Sequence, residues 1–121
     1  MTLSEIANEL VAGCREGRAR ANLQKLYAQD AVSVEAADFG IGRELHGLAG
    51  IDGKHQWWED NHTTTGGAVE GPFLHGDDRF AVRFTAEGTS KTDGKPFSMT
   101  EVAVYHVAGG KIVREEFFYG T

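Results

Sequence analysis

A glutamate near the end of a short alternating segment is the first candidate for proton transfer. In residues 32–35, Ser33 and Glu35 point to one side and the two valines to the other. A carboxylate inside an apolar hollow is costly to ionise, so its pKa should rise towards the range useful for proton transfer. We therefore predict Glu35 as a catalytic general acid or base. The alternative is a solvated glutamate at the end of a strand.

Two further glutamates, Glu101 and Glu115, lie in later segments whose residues also alternate. If both side chains share a face with Glu35, the three carboxyl groups cannot all be ionised cheaply, and we expect shared protons. We predict Glu101 as catalytic and Glu115 as substrate-binding. The alternatives are a different strand register or a structural ion pair with an arginine such as Arg83.

One histidine and several aromatic residues complete the candidate site. His55 lies on an apolar helical stripe, where it is either a catalytic group or a satisfied core histidine. Tyrosine hydroxyls can donate hydrogen bonds to a ligand, and aromatic rings can form an apolar wall. We predict substrate contacts from these further side chains: Trp58, Tyr105, Phe117 and Tyr119. Plain core packing is the alternative for each of them.

Apolar residues at helical spacing predict three helices that position part of this site. The first begins at Thr2, because Glu5 follows at capping-box spacing, and it ends at Gly17. A second short helix includes Tyr27 on its apolar face. A third helix spans residues 47–61 and carries the apolar stripe with His55.

The rest of the chain predicts strands and turns. Residues 36–46 are expected to form a loop, and from residue 63 onward the apolar pattern has period two. Gly71-Pro72 predicts an edge strand or a bulge, and Asp93-Gly94 predicts a hairpin. Helices segregated from antiparallel strands are typical of an α+β fold. We predict one domain over residues 1–121, a cone in which three N-terminal helices pack on a strongly curved antiparallel sheet and enclose a cavity.

The turn at residues 108–110 decides which side chains of the last two strands face inward. A two-residue turn would pair Val104 with Glu115, whereas a three-residue turn and a bulge would pair Tyr105 with Val113. We favour the three-residue turn because it collects acidic and aromatic residues on one face: Met99, Glu101, Tyr105, Glu115, Phe117 and Tyr119. The outer face then holds Val102, Val104, Ile112 and Phe118 with His106, Arg114 and Glu116. A slip of one residue would invert this assignment.

Composition excludes several classes of function. The 121 residues carry a formal net charge of −6 without a Lys/Arg cluster, which argues against nucleic acid as a partner. No apolar run approaches the roughly 20 residues that span a bilayer, and we expect no membrane partner and no secretory signal. The single cysteine, Cys14, fits a reducing cytoplasm. No Cys/His spacing suggests a metal site, and we expect no cofactor.

Three short motifs follow one another in a recognisable order. They are Leu26–Val32 (LYAQDAV), His46-Gly47 and Gly110–Phe117 (GKIVREEF). Together they resemble motifs of the SnoaL-like and ketosteroid-isomerase-like members of the nuclear transport factor 2-like superfamily. The resemblance covers nearly the whole chain and implies the α+β cone. That fold hosts enzymes, binding proteins and transport factors, so it implies little about chemistry.

Similarity to ketosteroid isomerase implies specific roles at matching positions. The general-base carboxylate of that family falls at Glu35, and His55 replaces a tyrosine of the third helix. The two principal oxyanion donors match Leu10 or Val11 and Ala103, which cannot donate. The resemblance therefore does not support steroid isomerisation by the usual arrangement. In polyketide-cyclase relatives, an acidic residue acts as general acid or base inside a similar cone.

These observations predict a pocket for a small apolar organic molecule. The first hypothesis is a cofactor-independent isomerase, cyclase or dehydratase that uses a buried carboxylate. The alternatives are a non-catalytic small-molecule binder and an interaction module with a filled cavity. The apolar residues of the outer sheet face would be exposed in a monomer, so we also predict a homodimer through that face, as the resemblance implies.

Overall fold

The first helix forms as its sequence predicts. In the computed structural model, which describes residues 1–120, Thr2 and Glu5 form a capping box: the Thr2 side chain accepts from the Glu5 N–H, and the Glu5 carboxylate accepts from the Thr2 N–H. Gly17 ends the helix in the left-handed region with φ 81°. Ile6 and Leu10 of the apolar stripe are buried. The predicted start and end are confirmed.

Three helices and one six-stranded sheet make up the fold. The helices are α1 (Leu3–Glu16), α2 (Ala21–Leu26) and α3 (Leu48–Asn61), and the strands are β1 (Tyr27–Val34), β2 (Glu44–His46), β3 (His62–His75), β4 (Arg79–Ser90), β5 (Pro96–Ala108) and β6 (Lys111–Phe118). The strand order is β2-β1-β6-β5-β4-β3. The predicted α+β class is confirmed. The sheet is mixed rather than wholly antiparallel, because β1 and β6 pair in parallel.

The helices cover one face of the sheet, which we call the inner face. The buried core consists of Ile6, Leu10, Leu26, Ile51, Phe80, Val82, Ala103, Tyr105 and Ile112, among others. Burial of this apolar surface is the main stabilising contribution to such a fold. Ile112 was assigned to the outer face from the sequence, and that assignment is wrong, since its side chain is fully buried.

The hairpin between β5 and β6 differs from both predicted registers. Gly109 and Gly110 have φ values of 59° and 75° and form a two-residue turn, the conformation that only glycine adopts readily twice in succession. Val107 faces Ile112, but the next pair is His106 with Arg114, so Val113 has no partner and forms a bulge. The predicted three-residue turn is therefore wrong.

Because of the bulge, Glu115 and Phe117 still lie on the face of the sheet that was predicted for them. The bulge adds one residue to β6 beyond the turn, so the register is two residues away from the predicted one and the alternation is unchanged. Tyr105 faces Glu115, and Ala103 faces Phe117. Both Tyr105 and Glu115 are buried on the inner face. The outer face holds Val102, Val104 and Phe118, with His106, Arg114 and Glu116 beside them.

Other local predictions are confirmed in part. Strand β3 lies at the edge of the sheet, and its register shifts between Glu70 and Phe73, as Gly71-Pro72 indicated. Tyr27 was placed in the second helix but is the first residue of β1. Residues 36–46 contain a short strand, β2, that the loop prediction missed. Within residues 1–120, no helix is both long and apolar enough to cross a bilayer.

Candidate functional site

The parallel pairing of β1 with β6 brings the first polar cluster together. Ser33 lies directly beside Glu115 in this register, and Tyr27 begins the same strand. The Glu115 carboxylate is 2% exposed and accepts hydrogen bonds from the Tyr27 hydroxyl and, at 2.6 Å, from the Ser33 hydroxyl. A buried carboxylate needs such partners, because an uncompensated charge would cost several kcal/mol.

Lys54 of α3 places a positive charge in the middle of this cluster. Its Nζ atom is 2.8 Å from Glu35 Oε1 and 3.6 Å from Glu115 Oε2. The ammonium also donates a hydrogen bond to the Ser33 hydroxyl, and it lies 4.3 Å from the centre of the Phe117 ring. One lysine thus connects two strands and both carboxylates.

Glu35 stands at the accessible side of the cluster. Its side chain and that of Lys54 are each 19% exposed, so solvent reaches both side chains. The Tyr119 hydroxyl donates a 3.0 Å hydrogen bond to Glu35 Oε2. Burial raises the pKa of the Tyr119 hydroxyl to about 12, with the negative charge of Glu35 adding to the effect. The apolar surroundings expected for Glu35 are absent on one side, where the Lys54 ammonium lies.

Glu101 is a carboxyl group of the cluster that has a raised pKa. Burial, with the charge of Glu35 as the second cause, raises the pKa of the Glu101 carboxyl to about 7, and Lys54 opposes this shift. Within residues 1–120, no side chain hydrogen-bonds to it. Glu101 therefore exchanges a proton near neutral pH, whereas Glu35 next to it is held by an ion pair.

His55 and Tyr105 lie beside the charged cluster rather than within it. Burial lowers the pKa of the His55 imidazole, although the charge of Glu115 opposes that shift, so the ring is neutral at pH 7. Tyr105 is 3% exposed and stacks on Phe80 with the ring centroids 4.8 Å apart. Burial and the Glu115 charge keep the pKa of its hydroxyl well above the usual range.

Trp58 belongs to an aromatic group where the end of α3 meets the first residues of β3 and β5. Its ring stacks on His62 with the centroids 3.8 Å apart, and it meets Phe97 edge-on. Trp57 next to it is 49% exposed and lies near Phe39, which is 63% exposed. Phe39 also lies beside Tyr119, the hydroxyl partner of Glu35, so this apolar rim adjoins the charged cluster.

The structure thus brings together four of the sequence-predicted site residues in direct contacts: Glu35, Glu115, Phe117 and Tyr119. Glu101 joins them through its electrostatic coupling to Glu35. Sequence reasoning missed Lys54, Ser33 and Tyr27. Ser33 was placed on the same side of β1 as Glu35, which was a usable signal. Lys54 lies three residues after Ile51 and four before Trp58, on the helical stripe that was identified.

Two shallow recesses lie away from this cluster. One of about 310 Å³ is lined by Ala68, Thr85, Glu87, Ser98 and Thr100, among others, and one of about 220 Å³ by Phe73, His75, Arg79, Ala81 and Val104, among others. These residues lie on the outer face of the sheet. Among residues 1–120, no group of three or more His, Cys, Asp and Glu side chains is arranged to hold a metal ion.

Comparison with known proteins gives one family. The SnoaL-like domain profile matches residues 1–119. A protein from Mesorhizobium loti described as SnoaL-like is 39% identical, with a TM-score of 0.91, and the alignment covers 98% of this chain and all of that one. No functionally curated sequence is significantly similar.

More distant structures share the fold. A protein from Catenulispora acidiphila with a ketosteroid-isomerase-like fold, solved with trimethylamine, is 21% identical with a TM-score of 0.73 over 99% of this chain and 88% of that one. TerC, co-crystallised with polyporic acid, is 22% identical with a TM-score of 0.72 over 96% and 89%. The profile match over nearly the whole length, supported by the Mesorhizobium relative, shows that this chain belongs to the SnoaL-like domain family.

Proposed function

We propose that this protein is a cofactor-independent enzyme that moves protons on a small, largely apolar organic molecule, with Glu35 and Glu101 as its acid–base groups. One observation carries the proposal: two carboxyl groups share a site but have different environments. Glu35 is ion-paired with Lys54 at 2.8 Å, whereas the pKa of Glu101 is raised to about 7. Two carboxyl groups in such different environments are typical of acid–base catalysis.

The two carboxyl groups would carry out different proton transfers. Glu35, oriented by Lys54 and Tyr119, removes a proton from a carbon next to a carbonyl group. Glu101 supplies or accepts a proton at a second position, since its pKa lies near neutral pH. Isomerisation, cyclisation by carbon–carbon bond formation, and dehydration all use these steps. His55 is neutral and close to Glu115, so it serves as a hydrogen-bonding group.

The apolar part of the substrate would lie against aromatic side chains. Phe117 forms a wall under Lys54, and the exposed rings of Phe39 and Trp57 stand at the rim beside Tyr119. Trp58, which stacks on His62 beside Trp57, would extend this rim, and the buried Tyr105 would support the site from the core. The small molecules seen with TerC and with the Catenulispora protein support a ligand site in this fold.

Hydrogen–deuterium exchange tests the proposal without knowledge of the natural substrate. A panel of uncharged cyclic and aryl ketones in D₂O is followed by proton NMR for enzyme-dependent exchange of the α-hydrogens. Glu35→Gln and Glu101→Gln should each slow this exchange by about 100-fold or more, the usual contribution of a positioned acid or base. Glu9→Gln is the control, because Glu9 is ion-paired with Arg18 and 21% exposed but lies outside the site. Equal exchange in all variants would refute the proposal.

The second candidate is a non-catalytic small-molecule binder. It is favoured by the fact that both oxygens of Glu35 already have partners, Lys54 and Tyr119, which restrains the carboxylate. Ligand binding that survives Glu35→Gln, with no exchange on any ketone of the panel, would favour this candidate.

We also propose that two copies pair through the outer face of the sheet. Val102, Phe118 and Phe73 are 37%, 52% and 56% exposed there, beside the 220 Å³ recess. Pairing would remove this apolar surface from water. Sedimentation should give a dimer at micromolar concentration, and Val102→Asp should shift it towards monomer. A wild-type monomer would refute the pairing.

A further inference from the structure

Lys54 is surrounded by negative charge in the resting site. Glu35 lies 2.8 Å from its Nζ atom and Glu115 lies 3.6 Å away, while the charge on Lys54 lowers the pKa of Glu101. His55 adds no positive charge at pH 7, because burial lowers the pKa of its imidazole. The cluster therefore has at least two carboxylates for one ammonium group. A ligand with a permanent negative charge would be repelled, so the substrate is uncharged when it binds.

The balance changes when Glu35 takes up a proton. A C–H bond next to a carbonyl breaks, its electron pair forms a carbon–carbon double bond, and the carbonyl π pair moves to oxygen. The substrate becomes an enolate, and Glu35 becomes a neutral carboxylic acid. The total charge of the site is unchanged, but the negative charge has moved from Glu35 to the substrate oxygen. Lys54 then lacks its closest negatively charged partner.

The ammonium group can accept that new partner. It has three N–H donors, of which Ser33 accepts one and Glu35 faces another. The 3.6 Å separation from Glu115 is too long for a hydrogen bond, which leaves a donor for a ligand oxygen. The Lys54 side chain is 19% exposed, on the same accessible side as Glu35.

We propose that Lys54 is a catalytic residue whose ammonium group stabilises the oxyanion formed on the substrate when Glu35 removes a proton. The substrate class follows: uncharged carbonyl compounds with an acidic neighbouring C–H bond. This inference rests on the proposed function of Glu35. It also explains how a site whose positions Leu10, Val11 and Ala103 cannot donate could stabilise an oxyanion.

The test uses 4-nitrophenolate, which resembles an enolate in charge and whose ionised form is recognised by its absorption. Glu35→Gln imitates the neutral Glu35 of the intermediate, so Lys54 becomes free to pair with the ligand. We expect Glu35→Gln to bind 4-nitrophenolate about tenfold or more tightly than the wild type, the smallest effect expected for one nearby charge. In Glu35→Gln/Lys54→Met, this gain should disappear.

Two controls make the result specific. Glu9→Gln should bind 4-nitrophenolate as the wild type does, and Lys91→Met in the Glu35→Gln background should keep the gain, since Lys91 contacts the Glu59 carbonyl outside the site. If the gain survives loss of Lys54, or if Glu35→Gln shows no gain, the inference is wrong.

A second measurement applies if the double variant does not fold. Bound to Glu35→Gln below the solution pKa of 4-nitrophenol, the ligand should still show the spectrum of its ionised form. A spectrum of neutral phenol would overturn the role of Lys54. Neither measurement requires turnover, so their failure leaves the proton transfer by Glu35 to be judged separately by deuterium exchange.

Discussion

The Tyr119 hydroxyl donates a 3.0 Å hydrogen bond to the carboxylate of Glu35, which joins the residues just beyond the ends of two parallel neighbours, β1 and β6. The parallel pairing of Val34 with Glu116 brings these two positions near each other. The hydrogen bond then fixes the orientation of the carboxylate that faces Lys54. The residues just beyond the C-terminal ends of β1 and β6 therefore take part directly in the candidate site.

Removing that hydroxyl should have a larger effect than removing a more deeply buried one. We expect Tyr119→Phe to lower the free energy of unfolding by about 1 kcal/mol, because a hydrogen bond to a charged group is lost at a partly exposed position. Tyr105→Phe is the matched control: within residues 1–120 its hydroxyl has no hydrogen-bond partner, and we expect a change below about 0.5 kcal/mol. Urea denaturation measures both. A larger loss of stability in Tyr105→Phe than in Tyr119→Phe would contradict the hydrogen bonding described for the two hydroxyl groups.

The buried carboxylate of Glu115 should be important for stability. Glu115→Gln keeps the shape but removes the charge that Lys54, Ser33 and Tyr27 face, and we expect a loss of about 3 kcal/mol. Glu116→Gln, one residue further along β6 on the outer face, should cost about 0.5 kcal/mol. Chemical denaturation measures the free energy of unfolding of both variants. Similar losses would indicate that Glu115 is not held as described.

Glu101 should make stability depend on pH. Its pKa is about 7 in the folded protein and about 4.5 in a solvated chain, so the folded state holds the proton more tightly. The contribution to stability is fully present below pH about 4.5 and is lost as the pH rises to about 7. After allowance for partial exposure, we expect about 2 kcal/mol. The difference in unfolding free energy between wild type and Glu101→Gln, measured across this range, should fall with rising pH. A flat difference would refute the shifted pKa.

Two glycines give opposite predictions for the same substitution. Gly53 lies inside α3 beside Lys54, and a Cβ there meets no atom within 4 Å. Gly53→Ala should therefore stabilise the protein by up to about 1 kcal/mol. At Gly88, a Cβ would collide with the Thr63 carbonyl oxygen of β3, so Gly88→Ala should cost about 3 kcal/mol. Thermal unfolding measures the stability of both variants. If both substitutions stabilised the protein, or both destabilised it, the packing described here would be contradicted.

Much of the architecture could be predicted because local rules determine it. The capping box of α1 depends on Thr2 and Glu5 alone, and the alternation of β4 to β6 is visible in the sequence. The grouping of Glu101, Glu115 and Phe117 on one face followed from that alternation. It survived the wrong turn because the error in register was an even number of residues.

The rest depended on contacts between distant segments. Because lysines are mostly exposed, a lysine on the apolar stripe of a helix does not by itself indicate a buried ion pair. The contact between the Lys54 ammonium and Glu35 could therefore not be predicted from the sequence. Tyr27 could not be linked to Glu115, which lies 88 residues away, without the parallel pairing of β1 with β6. The sheet order, and hence this pairing, cannot be read from alternation.

Because Val113 is left unpaired, the composition of the site depends on the backbone pairing of β6 as well as on its residue types. If Val113 were paired regularly with His106 instead of bulged, a hairpin with the same two-residue turn would present Glu116 and Phe118 to the helices and turn Glu115 and Phe117 outward. Lys54 would then lose its contacts with Glu115 and Phe117, although no side chain in β6 had been substituted. On this scaffold, a change in the backbone pairing of β6 would alter the candidate site as much as several substitutions at once.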